Sequence, residues 1–239
     1  MKIDFHTNGI RQALRALTVW GACVMVTSVQ AASLQVTVLD KEGKPVPEAV
    51  VVVVPAAKGE ARNPPPLQAV ISQEKMQFIP VVTLVSPGAK IRFVNNDPWD
   101  HHVRVSAPAL ASGGNLAAAG LAPGAMYGIS LRPEGKSEGK MPKTADVTLD
   151  KPGATGAMLM GCFIHGSMSG FVYVADSPWT VKTGADGIAL LDDVPDGAVS
   201  VKVWHATQLV EAAPQNMTLG VAPSKITLHV DAVLRRRRS

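Results

Sequence analysis

The sequence predicts an all-β protein built as two β-sandwiches, one of them divided along the chain and the other inserted into it. Three observations carry that prediction. Short segments rich in Val and Ile recur after the first 31 residues, each bounded by Gly, Pro, Asn or Asp. No convincing amphipathic helical period appears among them. Two linker-like stretches, "GEARNPPPLQ" at 59–68 and "ADSPWTVK" at 175–182, set a middle region apart from two flanks that read as parts of one unit. A chain of 239 residues is long enough for both units to bury a core.

Taken in order, residues 1–31 read as an export signal. Lys2, Arg11 and Arg15 form a basic start, "ALTVWGACVMVTSV" is apolar, and "VQA" offers small residues before a cut after Ala31. Fourteen apolar residues are short for a spanning helix, so no stable membrane insertion is expected once the signal is removed. Cys23 lies in a poor lipoprotein box, since Trp20 precedes it and the apolar run continues past it. The divided sandwich is assigned to 33–60 and 176–234, with strands at "LQVTVLD", "AVVVVVP", "VSVKVWH" and "KITLHVD". The inserted domain is assigned to 66–175, with strands at "AKIRFVNN", "HVRVS" and "SGFVYVA". Residues 107–145, rich in Ala, Gly, Lys and Pro, read as a long, partly ordered excursion. Residues 235–239 form a solvated basic tail.

Charge excludes one class of function. The formal net charge of +4 falls to +2 without the signal and to −2 when Arg235 to Arg238 are also set aside, so no nucleic-acid footprint is present.

With the signal removed, Cys162 is the sole cysteine of a protein bound for an oxidising compartment, where a lone thiol wants an explanation. It stands in "GCFIHGSMSG", three residues before His165 and six before Met168. Upstream, "FVNNDPWDHHVRVS" supplies His101 and His102. Strand alternation puts His101 with Val103 and Val105 on one face and His102 with Arg104 on the other. An imidazole on the valine face looks inward, which favours His101 over His102 for a buried site, with His102 kept as the alternative. Each residue alone has a plain reading as core or loop. Together, one thiolate, two imidazoles and a thioether are the donor set of a type 1 copper site: His101, Cys162 and His165 in a trigonal arrangement and Met168 axial. Soft sulfur suits Cu(I) and imidazole accommodates Cu(II).

These motifs resemble the cupredoxins, amicyanin and plastocyanin among them. "NNDPWDHHV" resembles their first-ligand motif with His101 in the ligand place, and the short C-x-x-H-x-x-M loop is similar to amicyanin's. The resemblance covers about residues 70–175 and implies a Greek-key β-sandwich or barrel holding one copper. The family usually has Asn after the first histidine, tying the two ligand segments together; His102 stands there instead. The doublet with "GC.IH..M" is similar to methylamine-utilisation-type periplasmic cupredoxins. The flanks, with "GKPVPEAVV" and "ADGIALLDDVPDG", resemble the carboxypeptidase-regulatory-like (transthyretin-like) module, which implies a second, discontinuous Ig-like sandwich.

The function expected is a periplasmic blue copper protein carrying single electrons to a redox protein partner. Two alternatives stand beside it: copper binding and delivery without electron transfer, and an envelope scaffold with secondary metal binding. An enzyme is not expected, because no Ser/His/Asp arrangement is legible and five histidines after the signal are too few for further copper centres. His205, His229, Met158 and Met160 read as packing or surface residues. Trp99, Met126, Phe163 and Phe171 read as core, with a docking collar as the alternative.

Overall fold

The computed structural model describes residues 31–106, 126–131, 143–149, 156–208 and 210–232, so the signal, most of the excursion and the basic tail lie outside the described residues. Sixteen strands and no helix are present among the described residues. The all-β class is therefore as expected.

The strands sort into four sheets. Two use only the flanks of the chain: β13 (Ile188–Pro195), β1 (Ala31–Leu39) and β16 (Ser224–His229) form one, and β12 (Trp179–Lys182), β2 (Val50–Pro55), β14 (Gly197–Trp204) and β15 (Gln215–Leu219) the other. Between them lies a core including Leu34, Val36, Val38, Val51, Val53, Leu191, Val201 and Trp179. The other two sheets use only the middle of the chain. One orders β5 (Val82–Val85), β11 (Ser169–Val174), β10 (Gly156–Cys162), β7 (His101–Ser106) and β8 (Met126–Leu131); the second orders β4 (Gln77–Ile79), β3 (Gln68–Glu74), β6 (Lys90–Asn95) and β9 (Thr144–Thr148). Ile71, Phe78, Ile91, Phe93, Val103, Val105, Met158, Met160 and Val172 fill the space between this pair.

The unbroken valine run of β2 has a physical reason. Val51 and Val53 face the core of the outer sheets, whereas Val50 and Val52 cluster with Val82 and Tyr173 of the middle region. A strand covered on both faces loses the polar alternation of a half-exposed one. Trp204 belongs to the same contact, its ring 5.3 Å from Phe171 and 5.4 Å from Tyr173. Phe171 is thus half-buried by packing, while the Met126 side chain is outside the described set.

One reading of the sequence needs correction. The stretch 175–182 is not wholly a linker: Trp179–Lys182 is β12, hydrogen-bonded to β2, and Ser177 Oγ donates to Val53 O. Pro178 masks this strand in the sequence by marking the turn just before it. In the excursion at 107–145, the described residues form β8 and the start of β9, each pairing along its length with an inner strand. Its composition hides them because an edge strand needs one apolar face only. On β9, Asp146 lies opposite Arg92 of β6, and its carboxylate takes two hydrogen bonds from the guanidinium, at 2.8 and 3.0 Å.

One glycine is required by the backbone. Gly187 opens β13 at φ +72°, and a Cβ there would lie 2.7 Å from Val38 O and 3.0 Å from both Pro45 Cβ and Val46 N. Left-handed backbone alone costs about 1–3 kcal/mol in a non-glycine residue. Gly187→Ala is therefore expected to destabilise by at least about 2 kcal/mol in denaturant unfolding.

Candidate metal centre

Register delivers the site. β7 and β10 are antiparallel neighbours with Cys162 opposite Val103, which puts the start of β7 and the end of β10 at the same end of the sheet. Alternation along β10 turns Met158, Met160 and Cys162 inward, at 3%, 0% and 5% exposure. Alternation along β7 does the same for His101, Val103 and Val105. The chain then turns through 163–168 and returns as β11. That turn is closed by Met168 N–H donating to His165 O (3.0 Å) and Cys162 N–H donating to Met168 O (3.1 Å).

Three donor atoms converge there. His101 Nδ1 and His165 Nδ1 are 3.2 Å apart, Cys162 Sγ is 3.4 Å from His165 Nδ1 and 3.7 Å from His101 Nδ1. The rings of the two histidines meet edge to face, with centroids 5.0 Å apart. A metal about 2.0–2.1 Å from each nitrogen and about 2.3 Å from the sulfur, in a trigonal plane, separates its donors by roughly 3.5–3.8 Å. The triangle observed is within a few tenths of an ångström of that. One soft thiolate with two imidazoles is a donor set that fits copper. Met168 lies in the same buried cluster as Cys162, at 2% exposure, on the loop that carries both Cys162 and His165.

His101 is held from behind. Its Nε2 lies 2.9 Å from Asp97 Oδ2, with both side chains buried. The same carboxylate accepts Lys75 N–H at 2.6 Å on Oδ1 and Met76 N–H at 3.1 Å on Oδ2. Burial pushes the Asp97 carboxyl upward, but hydrogen bonds from Met76 N–H, His101 and Lys75 N–H outweigh it, so its pKa lies below the usual carboxylate value. An ionised carboxylate only accepts, so Nε2 of His101 carries the proton and Nδ1 presents a lone pair to the site.

His102 takes a different part. Its side chain turns away from the donor triangle, and its Nδ1 pairs with Ser130 Oγ of β8 at 2.9 Å. The two ligand segments are tied by its backbone: His102 N–H points at Cys162 Sγ (3.5 Å) and His102 O accepts Phe163 N–H (2.9 Å). His205 is buried just past the end of β14, its pKa pushed down by desolvation, with Thr207 at its Nδ1; His229 is exposed on β16. Neither joins the triangle.

Two aromatic residues are not core. Phe163 is 65% exposed and Trp99 42%, flanking the site with Ile164 at 52%. The inward turn of Cys162 sends its neighbour outward, and Arg104 covers the Phe163 ring, its guanidinium carbon 4.4 Å from the centroid.

Among solved structures the chain is similar to auracyanin from Roseiflexus castenholzii, at 19% identity over 46% of this chain and 97% of that one, with a TM-score of 0.32. It is also similar to amicyanin from Paracoccus versutus, at 16% identity over 51% of this chain and 96% of that one, TM-score 0.31. A copper-containing nitrite reductase from Thermus scotoductus matches at 20% identity over 59% of this chain and 28% of that one, TM-score 0.32. Auracyanin and amicyanin are cupredoxins. No protein-family model matches the chain, and no curated protein matches it.

Proposed function

We propose that this protein is a periplasmic type 1 copper protein that passes single electrons between redox protein partners, with no catalytic turnover of its own. His101, Cys162 and His165 would hold the metal, with Met168 as a further sulfur donor. Bound copper supplies the one-electron couple. The observation that carries the reading is the donor triangle itself, in which Cys162 Sγ and two Nδ1 atoms from segments more than 60 residues apart stand 3.2–3.7 Å from one another.

The surroundings suit that role. Cys162 and His101 are buried, whereas His165 is half-buried, so one ligand edge faces the surface through which an electron can leave. Hydrogen bonds of the backbone hold both ligand segments, which keeps reorganisation small when the charge changes. On this reading the sheets built from 31–55 and 179–229 are the divided carboxypeptidase-regulatory-like domain, with the cupredoxin domain inserted at 66–175.

Voltammetry of the copper-loaded protein tests electron transfer. A carrier gives a reversible one-electron wave with fast exchange at the electrode. A delivery protein gives a sluggish or irreversible wave and surrenders Cu(I) to a competing thiolate chelator, and that result would replace the carrier reading. Turnover of nitrite by the loaded protein would contradict the non-enzymatic reading.

A further inference from the structure

We infer that Asp97 is a positioning residue for the metal centre: its buried carboxylate fixes His101 with Nδ1 toward the metal and lowers the Cu(II)/Cu(I) reduction potential. The inference rests on the copper reading above.

Asp97 is 5% exposed and has three partners, each meeting a carboxylate oxygen within 3.1 Å. Its backbone is fixed as well, since Asp97 N–H donates to Asn95 Oδ1 at 2.9 Å and Asn95 Nδ2 donates to Trp99 O at 2.8 Å. The carboxylate therefore has little freedom to leave His101. Asp97 sets a carboxylate against the far nitrogen of the His101 ring, where a backbone carbonyl would set only a dipole. A carboxylate behind a ligating imidazole raises the basicity of the coordinating nitrogen. Reduction adds one electron and lowers the positive charge at the metal by one. A nearby fixed negative charge in a buried setting therefore favours the Cu(II) form.

Asp97 has a second task that the test must separate from the first. Lys75 and Met76, the two residues between β3 and β4, have φ of +53° and +61°, and both donate their N–H to this carboxylate. Two consecutive residues with positive φ are strained without glycine, and the carboxylate holds them. Loss of Asp97 thus threatens the turn as well as the ligand. Replacing Lys75 and Met76 by glycine removes that dependence, because glycine adopts positive φ without strain.

The experiment compares the wild type, Asp97→Asn and Asp97→Glu, each also made in a Lys75→Gly/Met76→Gly background, all loaded with copper. The reduction potential is read by voltammetry and the thiolate band by absorption. Removing an outer partner of a metal ligand typically costs 10–100-fold in affinity. Borne by Cu(II) alone, that fold-change converts at about 59 mV per tenfold for one electron. D97N is therefore expected to keep the thiolate band and raise the potential by about 60–120 mV in both backgrounds. D97E, which keeps the charge, is expected to stay near the wild-type potential. Equal potentials in D97N and the wild type would overturn the inference while leaving the copper site standing. Equal shifts in D97N and D97E would do the same, since a merely structural role moves both. A wild-type protein with no thiolate band on adding copper would overturn the site itself, and this inference with it.

Discussion

Cys162→Ala is expected to abolish the visible thiolate-to-copper absorption and to weaken Cu(II) binding by more than about a hundredfold, since even outer partners of metal ligands are worth 10–100-fold. A cysteine ligates a metal as thiolate and a histidine as neutral imidazole, so Cys162 would be the one anionic donor of the triangle. It is also the only cysteine among the described residues, so no second thiol can take its place. The fold should survive the change. Cys162 ends β10, its backbone N–H still donates to Met168 O, and the inward row above it, Met158 and Met160, is untouched. Absorption spectroscopy with a competitive Cu(II) titration reads both quantities, and far-ultraviolet circular dichroism confirms folding. A visible band retained in the alanine variant would remove Cys162 from the site.

Phe93→Ala is expected to be among the most damaging core substitutions, at about 3–5 kcal/mol by chemical denaturation. Phe93 is fully buried in β6, between β3 and β9, and shares one buried cluster with Val103, Val105 and Met160 of the facing sheet. Stability of a domain is typically 5–15 kcal/mol, so the loss removes a large share of it. The consequence reaches the site, because β6 runs directly into Asn95 and Asp97, which carry His101. A variant destabilised by less than about 1 kcal/mol would show that the sandwich does not depend on this ring.

The sequence was most legible where chemistry and alternation coincide. β1, β2, β6, β7, β11, β14 and β16 are rich in Val and Ile, and all were expected. β3 (QAVISQE), β9 (TADVT) and β15 (QNMTL) were not. Each buries few of its side chains, so its apolar count is low and the pairing partner decides its state. The three residues that meet were readable because His101 shares parity with Val103 and Val105, and because Cys162 and His165 stand three apart. The exposure of Phe163 was also readable from parity with Leu159, since Met158, Met160 and Cys162 claim the inner face; the aromatic character of Phe163 argued for burial instead.

Asp97 was not legible. Its partners Lys75 and Met76 lie 22 and 21 residues earlier in the chain, and the turn they form has none of the Gly or Asn that usually announces positive φ. Only the folded register brings that turn to the back of His101. The part His102 plays is likewise visible only in three dimensions: its backbone ties the segments that carry His101 and Cys162, and its ring pairs with Ser130 on β8.

The most direct test of the centre is X-ray absorption on the wild-type protein carrying one equivalent of Cu(II). His101, Cys162 and His165 around one ion predict a first shell of one thiolate sulfur and two imidazole nitrogens at bonding distance, with the sulfur lost in Cys162→Ala. A shell of nitrogen and oxygen alone, with no sulfur, would contradict the proposed site.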